Sequence, residues 1–229
     1  MLYDKRISLD PRLSMIAEMI GTCESCADIG SDHGRLGAFL LQNRQCGRVV
    51  LTDISAPSLD KARKLVKLLG LEDNTEFTVC DGAKGLEKPV NCAVIAGMGG
   101  ETIAEIIEDS EGKLDGARLV LQPNVAAPCL RKMLNKCGWK ITDERLVRDG
   151  RRIYLIIEAL QGAQQLTEAE YEAGPVLLEK KPALLADYCA FRLRVAKKAL
   201  SGAENGSDEA NILALRREIS IWEDVEKCL

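Results

Sequence analysis

The sequence contains no apolar run that approaches the ~18 residues needed to cross a bilayer. Its first ten residues, MLYDKRISLD, are charged and lack the apolar stretch of a secretory signal. These absences point to a cytoplasmic protein with no membrane partner, whose nine cysteines are reduced thiols. Aromatics are scarce at 4%, and His33 is the only histidine. Neither sign of charge dominates: the net value is −4, which argues against whole-molecule attraction to nucleic acid but leaves local charge to decide. No internal repeat or low-complexity tract is present. Metal-binding spacing is also missing. Cys23-Glu-Ser-Cys26 has no second pair and no histidine nearby, so no metal is expected, and the other cysteines read as small core residues.

What remains is an ordinary globular composition, 46% hydrophobic and 29% charged, over 229 residues. That excludes disorder and fibrous structure, and it suits one domain with an appendage or two small domains. Up to about residue 160, short β-branched runs alternate with helical patterns. Residues 26–30, 48–54, 76–80, 91–97 and 117–123 read as buried strands. Most are nearly continuous apolar runs, as expected where helices cover both faces of a parallel sheet. Helices are expected near 11–21, 34–44, 57–70, 100–110 and 126–137, the first opened by Asp10-Pro11 and the third by Ser55 before Pro57. After Gly138, residues 139–147 and 151–160 read as strands joined across Asp149-Gly150, a strong hairpin signal. The fold class is therefore α/β, a Rossmann-like seven-stranded, mostly parallel sheet. The terminal hairpin separates it from a dehydrogenase domain, whose sixth strand would be parallel.

Residues 1–160 would form this domain, and 161–229 a polar linker (161–175, with one short helix) and a helical hairpin. Leu184, Tyr188, Phe191, Val195 and Ala199 form one apolar stripe at helical spacing. Ile212, Leu215, Ile219 and Trp222 form another, with Leu229 a heptad beyond. The pair reads as a coiled-coil-like antiparallel hairpin.

The chemistry concentrates where strands end. Asp28-Ile29-Gly30-Ser31-Asp32-His33-Gly34 closes strand one, with Asp32 where a dinucleotide fingerprint would have its middle glycine. A pyrophosphate there would meet a carboxylate; a phosphate-free cation such as S-adenosylmethionine would be attracted. Asp53, followed by Ile54, closes strand two, where a carboxylate can accept both ribose hydroxyls. Asp81-Gly82 closes strand three, and Gly97-Met98-Gly99 closes strand four. Cofactor contacts are thus expected from Asp28, Gly30, Asp32, His33, Asp53, Ile54, Asp81, Gly82, Gly97, Met98 and Gly99. Any single aspartate taken alone is equally compatible with a helix cap.

These motifs, with Leu121-Gln122-Pro123-Asn124, Leu130-Arg131 and Arg145-Leu146-Val147 ahead of Tyr154, resemble bacterial tRNA (adenine-N1)-methyltransferases acting on position 22. The resemblance implies a class I methyltransferase fold, S-adenosylmethionine as cofactor and tRNA as partner. Gly34-Arg35 follows the histidine where that family often has a bulky residue, a difference that bears on the pocket rim. The residues support ring N1 over the exocyclic amine. Ala96-Gly97-Met98-Gly99 stands where amino-group methylases carry Asn/Asp-Pro-Pro-aromatic, and N1 has a lone pair with no proton to remove. Such an enzyme needs alignment of an unpaired or extruded base more than a catalytic base.

Gln122, Asn124 and His33 are the catalytic candidates. The amides could instead bond local backbone, and His33 could be structural. Basic groups cluster in 131–152 and 188–198. Arg12, Arg131, Lys132, Lys136, Arg192, Arg194, Lys197 and Lys198 are the candidate RNA contacts, with a solvated face or a dimerisation arm as the competing uses of the hairpin. A small-molecule or protein methyltransferase, and a non-catalytic cofactor-binding scaffold, are the alternative functions.

Overall fold

A computed structural model describes residues 6–229 apart from Asn205 and Ser207. The chain runs α1 (Pro11–Ile20), β1 (Cys23–Ile29), α2 (Arg35–Gln42), β2 (Cys46–Asp53), α3 (Ala56–Leu69), β3 (Thr75–Val79), β4 (Cys92–Met98), α4 (Gly100–Glu108), β5 (Arg118–Pro123), α5 (Ala127–Lys136), β6 (Trp139–Asp149) and β7 (Arg152–Gln161). Four helices follow: α6 (Glu168–Ala173), α7 (Pro175–Lys180), α8 (Leu185–Ala203) and α9 (Glu209–Lys227). The seven strands form one sheet in the order β3-β2-β1-β4-β5-β7-β6. The first five are parallel, and β7 pairs antiparallel with both β5 and β6. The expected fold class is the observed one.

Strand alternation divides the core. Val49 and Leu51, Val94, Val120 and Ile156 face α1, α2 and α3, while Val50, Ala93 and Ile95, Leu119 and Leu121, and Leu155 and Ile157 face α4, α5 and the C-terminal helices. Both faces are dry, which is why the strands read as unbroken apolar runs. Among the described residues, no helix is long and apolar enough to cross a membrane.

Two expectations change beyond residue 160. The segment read as a linker with one short helix holds two, α6 and α7. Thr167 and Glu170 close a capping box on α6, and Pro175 opens α7. On α8 the buried line is Leu185, Tyr188, Cys189, Leu193 and Ala196, whereas Phe191 and Val195 of the expected stripe are exposed. The helix packs on α9 along one side and toward the sheet along another, so its buried face is wider than one stripe. On α9, Trp222 is fully buried and Ile219 packs against the core, but Leu229 is exposed. Ala173, Leu177, Leu185, Leu193, Trp222 and Val225 belong to the same apolar cluster as the sheet's α4/α5 face.

Candidate active site

The loops that follow parallel strands emerge on one edge of the sheet, and a cleft of about 360 Å3 lies there. Ile29, Gly30, Thr52, Asp53, Ile54, Cys80, Asp81, Gly82 and Met98 line it from the strand ends, and Thr102, Glu105 and Ile106 from α4, with Asp109 at its C-cap. The loop after β1 is tied to β2: the Gly30 and Ser31 amides donate to the Thr52 carbonyl at 2.8 and 3.0 Å. Gly30 has φ of 73°, a left-handed conformation that glycine adopts without strain, and a Cβ there would push the Met98 methyl aside. The Asp53 carboxylate accepts from the Asp32 amide at 3.1 Å and the Ser55 amide at 2.8 Å. An ionised carboxylate accepts about four hydrogen bonds, so Asp53 keeps lone pairs for hydroxyl donors. Beside it Ile54 is 76% exposed, a flat apolar surface at the mouth.

Several expected contacts stand apart from the cleft walls. Asp28 lies buried below the loop, where desolvation pushes its carboxyl up to about 7; the Gly37 backbone and the Arg12 charge act in the opposite direction. It is not a rim carboxylate, because β1 carries it into the sheet. Asp32, with φ of 48°, is exposed and takes the Nδ1 of His33 at 2.5 Å, and neither side chain lines the cleft. Gly97 and Gly99 border the neighbouring side of the cleft, where β5 ends.

That side is built by four groups. Asp10 caps α1 by accepting from the Leu13 amide, which sets Arg12 in the first turn beside the end of β5. Arg12 Nη1 donates to Gln122 Oε1 at 2.7 Å, Gln122 Nε2 donates to Asn124 Oδ1 at 3.0 Å, and Asn124 Nδ2 donates to the Gly97 carbonyl at 2.7 Å. Arg12 also lies 5.7 Å from the Tyr154 ring centre. Gln122 is fully buried and Asn124 is exposed. Gln122 is thus covered by its neighbours, set back from the exposed position its expected substrate contact called for. It carries Arg12's orientation to Asn124, whose Oδ1 retains a lone pair.

The model of the tRNA (adenine(22)-N(1))-methyltransferase family matches residues 26–224. The chain belongs to this family. The tRNA (adenine(22)-N(1))-methyltransferase of Bacillus subtilis is 31% identical over 189 residues, covering 78% of each chain. A Streptococcus agalactiae protein of the NADB-Rossmann superfamily superposes with a TM-score of 0.90 at 27% identity, covering 98% of this chain and all of that one. A putative tRNA (m1A22) methyltransferase from Streptococcus pneumoniae, solved in complex with S-adenosyl-L-methionine, superposes with a TM-score of 0.86 at 25% identity, covering 96% of this chain and all of that one.

As in any tRNA adenine-N1 methyltransferase, the donor site must take an adenosyl group. The donor set suits one: a carboxylate with free lone pairs, an exposed isoleucine beside it and the Gly30 backbone in the wall. Ser31 Oγ, buried without a partner among the described residues, adds an unused hydrogen-bonding group in the same loop. Thr102, Glu105 and Ile106 of α4 and its C-cap Asp109 were not anticipated. Their 3-, 4- and 7-residue spacing, one helix face directly after a glycine-rich strand end, is the signal that marks them. Lys84 bridges Asp81 at 3.4 Å and Asp109 at 3.2 Å across the cleft.

The expected RNA contacts divide sharply. Arg131 is buried: Nε donates to Glu144 Oε1 at 2.8 Å, and Nη1 donates to the Tyr171 and Glu172 carbonyls at 3.0 and 2.9 Å. Arg192 is held between Glu172 and Glu218 at 2.9 and 2.8 Å and stacks on Trp222. Both serve the junction between the sheet and the C-terminal helices, and neither is available to phosphate. Lys132, Lys136, Arg194, Lys197 and Lys198 are exposed. Lys136 meets Glu108 and Lys197 meets Glu223 in surface pairs. Among the described residues, no three His, Cys, Asp or Glu side chains are arranged to hold a metal ion.

Proposed function

We propose that this cytoplasmic enzyme methylates ring N1 of adenosine 22 in tRNA, and that it does so by positioning, with no catalytic base. S-adenosylmethionine supplies, when bound, an electrophilic methyl on a sulfonium. Asp53, Ile54, Gly30 and Met98 are the residues that would hold it. Asp53 would accept from the ribose hydroxyls, and Ile54 would offer its apolar side chain to the adenine.

The observation that carries the reading is the hydrogen-bond chain from Arg12 through Gln122 to Asn124, ending beside the cleft. Arg12 fixes which way the buried Gln122 amide points, and Gln122 in turn fixes Asn124. The free lone pair of Asn124 Oδ1 then accepts from the exocyclic amine of an incoming adenine. That orients the ring and leaves N1 unobstructed. N1 needs no deprotonation, so alignment in a water-poor site supplies the rate enhancement. As the ring becomes cationic, the same fixed carbonyl dipole stabilises it. Val125, next to Asn124 and 67% exposed, offers apolar surface to a base removed from its stack.

Phosphate contacts come from exposed basic groups on two sides. Lys132, Lys136, Arg194, Lys197 and Lys198 lie on α5 and α8. Arg151 and Arg152 lie at the β6–β7 turn, which the register of β7 on β5 carries beyond the same sheet edge as Asn124.

The test is incubation with labelled S-adenosylmethionine and unmodified tRNA, followed by mapping of reverse-transcription stops. A single stop at adenosine 22 is expected, because N1 methylation blocks the pairing edge. Label incorporated without a stop, or into small molecules or protein alone, overturns the reading.

A further inference from the structure

The opposite edge of the sheet carries a cluster of thiols that methyl transfer does not use. Cys23 and Cys26 open β1, Cys46 opens β2 and Cys92 opens β4. In the parallel ladder Cys23 is the direct partner of Cys46, and Cys26 of Cys92. Neighbouring strands lie about 4.8 Å apart, inside the 4.4–6.8 Å Cα separation that a disulfide spans. The Sγ atoms of Cys23 and Cys46 are already 2.8 Å apart.

We infer that Cys23 and Cys46 form a thiol pair that a low-molecular-weight disulfide such as oxidised glutathione converts to an intramolecular disulfide. Cys23 is the attacking group, since it alone of the four is partly exposed. Thiol donors from Cys26 and Cys46, together with the Arg118 charge, hold the Cys23 thiol below its ordinary range, which raises its thiolate fraction; burial acts against them. Its thiolate attacks one sulfur of the external disulfide, forming a mixed disulfide and expelling one glutathione thiolate. The Cys46 thiol, giving up its proton to solvent, then displaces the second glutathione thiolate and closes the Cys23–Cys46 bond. Two protein thiols are oxidised and one glutathione disulfide is reduced. Cys26 and Cys92 stay out of the exchange because both are wholly buried. A groove of about 640 Å3, lined in part by Glu24, Ser25, Gly47 and Arg48, opens beside this edge.

The bond would staple β1 to β2 at the end remote from Gly30 and Asp53, so transfer activity should survive oxidation. The test treats the full chain with oxidised glutathione, alkylates remaining thiols and maps peptides by mass spectrometry. Loss of two hydrogens and a Cys23–Cys46 cross-linked peptide are expected, with a melting temperature raised by roughly 5–10 °C. The Cys46→Ser variant should stop at a glutathione adduct on Cys23, and Cys23→Ser should yield neither adduct nor cross-link at this edge. The proposal fails if the exposed Cys129, Cys137 and Cys228 carry all the adducts while Cys23 and Cys46 remain free thiols. It fails equally if Cys46→Ser leaves Cys23 unmodified. Neither result bears on methyl transfer.

Discussion

Two polar networks sit seven residues apart along the chain and behave as opposites. One runs from Arg12 through Gln122 to Asn124 and ends at an exposed amide with an unused lone pair. The other joins Arg131 on α5 to Glu144 on β6, both almost wholly buried. Glu144 Oε2 accepts from the Val176 and Leu177 amides that begin α7, and Arg131 donates to the carbonyls that end α6. A carboxylate at a helix start and a guanidinium at a helix end each complement the helix dipole. Gly174 joins the two short helices where a Cβ would fall 2.4 Å from Glu144 Oε2. The first network ends in water and can act on another molecule. The second closes on itself, except for one Arg131 nitrogen without a partner among the described residues, and can only hold the fold together.

The comparison is broken most directly at Arg131. Arg131→Ala leaves Glu144 buried beside orphaned carbonyls, so urea denaturation should show a loss of about 3–5 kcal/mol. Cofactor affinity of the folded fraction should be unchanged. A loss of affinity in step with stability would mean the two networks are coupled. The double variant Arg131→Met/Glu144→Leu should recover only part of the loss, because the α7 amides and α6 carbonyls remain uncapped.

Next in size is Asp28, which sits beneath the open network near Arg12 and Asp53. Its folded pKa of about 7 exceeds the unfolded 3.8, so the native chain keeps a proton that the unfolded chain releases between those values. The stability this group contributes is complete below about 3.8 and is lost as pH rises through 7. Asp28→Asn cannot ionise. It should match the parent near pH 4 and exceed it by on the order of 2–4 kcal/mol at pH 8. Parallel stability–pH curves for the two proteins would remove Asp28 as the titrating group. Ionised Asp28 also favours a cationic ligand, so affinity for S-adenosylmethionine should rise between pH 6 and 8 in the parent and stay flatter in Asp28→Asn.

The contrast between the networks also explains what the sequence could reveal. Gly30, Asp53 and Asp81 were legible because any loop after a parallel strand must emerge on the ligand edge, whatever its partners. The hairpin was legible from Asp149-Gly150 between two strand-like runs. Arg131 was not: it stands in a run rich in basic residues, and the groups that neutralise it are a glutamate on another element and backbone carbonyls some forty residues on. Arg192 was hidden similarly, since its partners Glu172 and Glu218 lie on α6 and α9. Helical spacing identified α8 but not which of its adjacent stripes faces inward, because two neighbouring surfaces compete for it. Gln122 was placed at the right strand end, yet what separates it from Asn124 is burial, which neighbours from other elements create.

Asn124 tests that distinction. Asn124→Ala should lower turnover about 10- to 100-fold at saturating tRNA, with S-adenosylmethionine affinity and melting temperature close to the parent's. Gln122→Leu should lower turnover through the same amide and also cost about 1–3 kcal/mol of stability, since Arg12 loses a buried acceptor. Equal stability losses in both variants would make the network structural along its whole length.

The smallest effects are expected on α8, where the two behaviours meet within three residues. Arg194 and Lys198 are exposed, and Arg194 lies 5.6 Å from the Phe191 ring centre. If they contact tRNA phosphates, Arg194→Ala and Lys198→Ala should each weaken tRNA binding a few-fold and reduce the log–log salt slope by about 1, with no change in stability. Arg192→Ala should do the reverse, because it strips Glu172 and Glu218 of their shared cation and uncovers Trp222. An unchanged salt slope in the Arg194 and Lys198 variants would leave α8 with its internal packing alone, and phosphate recognition would then fall to Arg151 and Arg152 at the sheet edge.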